Sequence, residues 1–308
     1  MPVIPPPRES GYTTTTPVPL YWCAYGEPGA RRLLVLHGGP GADHQYLLPQ
    51  MLDLGSEYEL ILYDQRGGGR SRTDDPAPIT WQTHVEDLAA IVRELALDPL
   101  ELVGYSWGGL LAMLNAVAAA GSVPESLFPV PAASAAPQSL ALIDPAPITR
   151  SYREQFEAEF SRRQQGPVIQ GLRAELAASG LRESDPEAYR QRSFELSVAG
   201  YFADPARARD LTPFRVVGRV QQSVWSSLGD FDLRSSLGAV EVPSLIVHGR
   251  QDPIPLASSE AAAEALRSRL VVLENCGHVP YVEQSPSLFD ALREFLTANR
   301  PEPRGHAP

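Results

Sequence analysis

Gly104-Tyr105-Ser106-Trp107-Gly108 sets a serine between two glycines in the pattern G-x-S-x-G. That spacing suits a nucleophile on a sharp strand-to-helix turn: the glycines let strand and helix approach closely, and the serine backbone is strained so that its hydroxyl stands clear. The apolar Leu102-Val103 precedes the pattern and a small-residue helical stretch follows it. The chemistry implied is acyl transfer. A serine hydroxyl is a weak nucleophile until a neighbouring base takes its proton. The chain has 6 histidines. His37 and His248 each end an apolar run before a glycine and read as residues that pack or shape loops. His44 and His84 lie in or near helical stretches and read as surface or satisfied polar side chains. His306 is in the C-terminal tail. His278, in Cys276-Gly277-His278, lies on a loop past the last apolar run and is the expected base.

An acid must orient the imidazole and stabilise its cation. On an elbow of this kind the chain order is serine, acid, histidine. Asp144 and Asp252 each follow an apolar run in that interval, and Asp252, in Gly249-Arg250-Gln251-Asp252-Pro253, is the expected acid. His37-Gly38-Gly39-Pro40-Gly41 can point backbone N–H groups at an oxyanion; Gly39 is the expected donor, partnered by the N–H of Trp107. Asp64-Gln65-Arg66-Gly67-Gly68-Gly69-Arg70-Ser71 reads as a structural turn whose charged groups brace the site floor. It is not a phosphate loop, because it has no lysine.

These groups need a frame. Residues 32–36, 58–63, 100–103, 140–143, 243–248 and 270–273 are short apolar runs bounded by turn residues, as buried parallel strands are. Helical stretches alternate with them at 81–97 (Thr80 as cap), 110–120, 258–266 and 286–298. Residues 11–17 and 20–25 read as two further strands, and 121–138 as a long loop. The alternation predicts an open, mostly parallel α/β sheet flanked by helices. It breaks between about 150 and 227, where only charged amphipathic helices are legible. The expected organisation is a catalytic domain of residues 1–148 and 228–308 with a helical cap inserted at 149–227.

Composition limits the function. The chain has 308 residues, a hydrophobic share of 43% and a net charge of −11. Such an acidic surface repels phosphate backbones, so no nucleic-acid partner is expected. No lysine occurs, which excludes Schiff-base chemistry and a Ser–Lys dyad. The two cysteines, Cys23 and Cys276, fit neither a disulfide framework nor a metal-ligand spacing, so no metal or cofactor is expected. No signal peptide or membrane-spanning run is read, and a cytoplasmic location follows by default. Oligomeric state is left open.

HGGPG, DQRGGGRS, GYSWGG, HGRQD and CGH occur in the order and spacing of the proline iminopeptidase family of α/β-hydrolases, which the chain resembles over roughly residues 30–115 and 240–300. The resemblance implies the triad Ser106, Asp252 and His278, a helical cap, and release of an N-terminal residue, often proline, from short peptides or small amides. Family members hold the free α-amine with cap glutamates. At the matching place this chain reads Val198-Ala199-Gly200-Tyr201-Phe202, and Glu195 is the nearest carboxylate. A helix started by Asp185 and Pro186 puts Glu195 on the same arc as Phe194, Val198, Tyr201 and Phe202, at about 100° per residue. Glu195 then either pairs with Arg192 or receives a substrate ammonium. Tyr152, Phe156 and Phe160, four apart, either pack a core or wall a proline ring. A carboxylesterase or other acyl hydrolase, and a non-catalytic ligand-binding receptor, remain alternative uses of the same scaffold. Bulky thiol reagents are expected to reach Cys276 and crowd His278.

Overall fold

The computed structural model describes residues 4–300, so His306 lies outside the described residues. β1 (Glu9–Tyr12) pairs antiparallel with β2 (Tyr21–Tyr25). The first strand is earlier and shorter than the threonine run suggests. Thr14 and Thr15 turn away and donate, through backbone N–H and hydroxyl, to the Glu94 carboxylate at 2.5 to 3.1 Å. Threonine's own donors give the backbone an alternative to the strand ladder.

The remaining strands are β3 (Arg31–Leu36), β4 (Tyr58–Tyr63), β5 (Glu101–Tyr105), β6 (Ser139–Ile143), β7 (Ser244–Gly249) and β8 (Arg269–Leu273). Among the described residues they form one eight-stranded sheet in the order β1-β2-β4-β3-β5-β6-β7-β8, antiparallel at β1-β2-β4 and parallel thereafter. Helices cross between parallel strands, as parallel pairing demands. They are α1 (Trp81–Glu94), α2 (Trp107–Ala119) and α9 (Leu256–Leu266); after β8 come the single turn α10 (Pro280–Glu283) and α11 (Ser285–Ala298). Thr80 caps α1, accepting from the Thr83 N–H while the Thr83 hydroxyl accepts from the Thr80 N–H. This reciprocal pair satisfies donors that a helix start leaves orphaned.

The period-two alternation of each strand builds two cores. Leu34, Leu36, Leu102 and Ile246 pack beneath α1, α2 and α9. Leu33, Val35, Val103 and Val247 face α11 and the 3₁₀ turns around Leu47 and Met51. Between β6 and β7 no strand of the sheet forms. The chain there makes α3 (Arg150–Gln164), α4 (Pro167–Ala178), α5 (Leu181–Ser184), α6 (Pro186–Val198), α7 (Gly218–Ser227) and α8 (Arg234–Leu237). An isolated bridge between Thr149 and Asp232 ties together the two ends of this excursion up to α8. No helix of the described residues is long and apolar enough to cross a membrane.

α2 is buried on nearly every side, which its small residues permit. A Cβ on Gly108 would stand 2.2 Å from the Leu36 carbonyl oxygen, and one on Gly104 2.6 Å from that of Gly108. Both obstacles are backbone and cannot swing away. Gly108→Ala is therefore expected to destabilise the fold by about 3 kcal/mol. A urea-denaturation midpoint unchanged from wild type would show that the β5–α2 contact is looser than described.

Candidate active site

Ser106 sits between β5 and α2 at φ 53° and ψ −119°, a conformation L-residues rarely adopt. Its N–H donates to the Ile143 carbonyl, and its own carbonyl accepts from the Gly109 and Ala146 N–H groups, each at 2.9 Å. With the backbone clamped on both sides, the side chain projects at the carboxyl edge of the sheet. Its Oγ lies 2.9 Å from His278 Nε2, and His278 Nδ1 lies 2.7 Å from Asp252 Oδ2. The Ile254 N–H donates to the other Asp252 oxygen at 2.7 Å, fixing the carboxylate plane. The His278 N–H donates to the Tyr201 carbonyl at 2.7 Å, and the Tyr105 hydroxyl donates to the His278 carbonyl at 2.8 Å. The rings of Tyr105 and Tyr201 stand 5.2 and 5.1 Å from the imidazole. Burial pushes the imidazole down from 6.5 to about 4, so it is neutral and able to accept a proton at neutral pH.

The loop after β3 flanks the serine. The Gly38 N–H is taken by the Tyr46 hydroxyl at 2.6 Å, which leaves Gly39, at φ +59°, as the glycine lining the cavity over Ser106. Trp107 begins α2, where the first N–H groups have no intrahelical partner. Its indole donates to Gln65 Oε1 at 2.8 Å, while the Gln65 side-chain amide donates to the His37 carbonyl at 2.8 Å. Gln65 thereby ties the glycine loop to the start of α2.

A model of the alpha/beta hydrolase fold family matches residues 31–285. The chain belongs to the alpha/beta hydrolase fold family. It is 28% identical over 287 residues to the proline iminopeptidase of Lactobacillus crispatus (strain ST1), covering 86% of this chain and 89% of that protein. It is 26% identical over 306 residues to the proline iminopeptidase of Lacticaseibacillus rhamnosus (strain Lc 705), covering 94% and 99%. The crystal structure of the Mycobacterium smegmatis proline iminopeptidase superposes with a TM-score of 0.63 at 21% identity, covering 94% of this chain and 98% of that one. The chain is an enzyme, a hydrolase.

The hydrolase's cavity over Ser106 has a volume of about 90 Å³ and a largely aromatic wall, with Tyr46, Tyr105, Tyr201, Phe214 and Tyr281 around the serine and Gln221 as a polar member. Among the described residues no carboxylate lines it. Glu195 is buried on α6 and pairs with Arg192 at 2.5 Å and with the Gln191 amide at 3.1 Å. Phe156 and Phe160 do not touch the serine's cavity. They line an adjoining space of about 680 Å³ that shares Tyr201 and Gln221 with it, and Phe160 stacks on Tyr201 at 4.4 Å.

Of the two readings, surface or satisfied polar side chain, His44 takes the second, and both it and His84 are buried. His44 Nδ1 donates to Asp64 Oδ1 (2.7 Å), its Nε2 lies 3.3 Å from Cys23 Sγ, and Asp64 also takes the Arg70 N–H at 2.8 Å. The glycine-rich loop is thus held to the sheet by its first residue, as a brace. Cys276 is fully buried and its thiol is pushed up by desolvation, so a bulky reagent has no path to it in the folded state. The members of the wall over Ser106 that sequence reasoning missed include Tyr46, Phe214, Gln221 and Tyr281. Tyr46 and Phe214 lie outside regular α and β elements, where no period points to a face.

A lowered folded-state pKa means that the unfolded chain takes up the proton first as pH falls. Stability contributed by neutral His278 is therefore present above 6.5 and is lost as pH falls toward about 4. The His278 imidazole is expected to titrate well below 6.5 in an NMR pH series. A value at or above 6.5 would mean that burial does not dominate its surroundings.

Proposed function

We propose that this hydrolase works by acyl-enzyme chemistry and releases an N-terminal residue, proline preferred, from short peptides or small amides. The observation that carries the chemistry is the continuous chain Ser106 Oγ–His278–Asp252, at 2.9 and 2.7 Å, on a left-handed serine. Ser106 attacks the carbonyl carbon as its proton passes to His278 Nε2. Asp252 holds the Nδ1–H and stabilises the imidazolium. The N–H groups of Gly39 and Trp107 receive the oxyanion. Collapse returns the proton from Nε2 to the leaving amine, and water repeats the sequence to free the acyl group. Residues 149–227 serve as a helical cap, and Tyr201 brings it into contact with the base. The peptide preference is supported by the relatives, which are named proline iminopeptidases.

One observation favours a second reading, a carboxylesterase or other acyl hydrolase. The wall of the Ser106 cavity is uncharged, and Glu195 is already paired. Discrimination for a free amine then rests on Glu195 exchanging Arg192 for the substrate, or is absent.

Ser106→Ala is expected to lower turnover by about 10⁴-fold or more while leaving the folded protein intact, with fluorophosphonate labelling abolished. Wild-type turnover in a clean preparation would remove the serine assignment. Proline p-nitroanilide is expected to be cleaved and its N-acetyl form to be resistant, with Glu195→Gln weakening only the free-amine substrate. Equal rates on both nitroanilides, with faster cleavage of p-nitrophenyl esters, would replace the peptidase reading with the esterase one.

A further inference from the structure

Behind the Asp252–His278 pair lies a second carboxyl group that the acyl-transfer scheme does not use. Asp144 follows β6, is completely buried, and holds a positive φ of 39°. One of its oxygens, Oδ1, accepts the Gly249 N–H at 2.8 Å and lies 3.5 Å from His248 Nδ1. The other, Oδ2, is buried without a hydrogen-bond partner. Single polar atoms of Asp144, His248 and Asp252 lie within 4.8 Å of one another.

Two buried carboxylates this close cannot both be charged without a cation between them. The groups facing Asp144 are Asp252 and His248 from β7 and its following loop, His278 and Cys276 from the loop after β8, Tyr105 from β5, and Tyr281 from α10. His248 supplies no charge: burial drives it down to about 3, and its Nδ1 is engaged by the Ser259 hydroxyl at 2.9 Å. A metal ion suits the cluster poorly, because both Asp252 oxygens already accept from Ile254 and His278. What the geometry accommodates is a proton on the unpartnered oxygen.

We propose that Asp144 and Asp252 share one proton, held on Asp144 Oδ2 and directed at Asp252, so that the pair behind His278 carries a single negative charge. Asp144 is then a positioning residue acting through Asp252, and the inference rests on the Ser106–His278–Asp252 reading above. Its role is to keep Asp252 ionised in a dry site. Burial pushes the pKa of the Asp252 carboxyl up, and a hydrogen bond from Asp144 opposes that rise. Burial and the neighbouring Asp252 charge push Asp144 itself far above the carboxylate range, consistent with its holding the proton. Without the donor, Asp252 takes up a proton at neutral pH and no longer accepts from His278 Nδ1.

The sign of the effect follows. Removing the donor raises the pKa of Asp252, so the acid limb of kcat/KM moves to higher pH. Asparagine keeps both the acceptor for Gly249 and a donor toward Asp252, and it tolerates the left-handed backbone. Asp144→Asn is expected to lower kcat by about threefold with the acid limb in place, whereas Asp144→Ala loses about 30-fold at neutral pH and regains activity as pH rises, on the scale of a shift of about 1.5 units at tenfold per unit. A merely structural role for Asp144 predicts lower kcat with no displacement of the limb, and that result would overturn the proposal. The protonation state is read separately, without turnover. Infrared spectra of wild-type protein carrying isotope-labelled aspartate should show a protonated carboxyl stretch that persists at neutral pH and is lost in Asp144→Asn. Absence of that band from wild type would refute the shared proton. A band present together with an active Ser106→Ala enzyme would refute the serine reading instead and leave the shared proton standing.

Discussion

The left-handed backbone of Ser106 is the constraint on which the site depends. A non-glycine residue held there costs about 1–3 kcal/mol and persists only where its surroundings over-determine it. Here four backbone hydrogen bonds, with Ile143, Gly109, Leu110 and Ala146, grip one residue. They exist because β5 lies inside the sheet with β3 on one side and β6 on the other. The same adjacency fixes everything else at that edge. β3 delivers the glycine loop, β6 delivers Asp144, and β7 delivers Asp252, each at a strand's carboxyl end. Side-chain-free contacts at Gly104 and Gly108 are what let α2 start close enough for the elbow to close.

The second determinant is dryness. Tyr105 and Tyr201 pack against the imidazole with Tyr281 beside them, and the excursion between β6 and β7 reaches it through Tyr201 rather than through a charged group. Removing water from one small region acts on every ionisable group in it at once. It lowers His278 and raises the carboxyls, so the base is neutral while the acids resist ionisation. A site that is dry enough to strengthen the imidazolium–carboxylate attraction therefore also threatens the carboxylate it needs. Backbone donors such as the Ile254 N–H oppose that threat, and they lie on loops that the sheet has already positioned.

Much of this frame was legible because it is local. Strands ending in Gly or Asp, the Thr80 cap and the Asp185-Pro186 start are short-range signals, and the elements begin within a few residues of where those signals put them. Long-range partners are not written locally. His44 is buried because Asp64, twenty residues on, accepts its proton, and no pattern around His44 announces that. The arc that put Glu195 among apolar residues gave its burial. It could not say whether the carboxylate would face the serine or Arg192. Tyr46 and Phe214 come from irregular segments, and packing alone brings their rings to 4.4 Å of one another over the site.

On the proposed reading, the sheet and the excursion between β6 and β7 carry different parts of the specificity. The groups proposed to make and break bonds follow strand ends, which are indifferent to what is attached to the carbonyl. Selection then falls in part to that excursion, which supplies Tyr201, Phe214 and Gln221 around Ser106 and places the Arg192–Glu195 pair outside that wall. An ammonium entering such a wall must trade its water for ring faces, a side-chain amide or a carboxylate drawn from an existing pair. Ring faces return about 0.5–2 kcal/mol, less than a buried ammonium requires when left unpaired. The Arg192–Glu195 pair is half exposed at its arginine end, so the guanidinium can return to water at small cost while the carboxylate stays in the fold. On the proposed peptidase reading a free amine is selected only as far as that exchange brings Glu195 to it, from a helix whose last residue, Val198, already lines the serine's cavity.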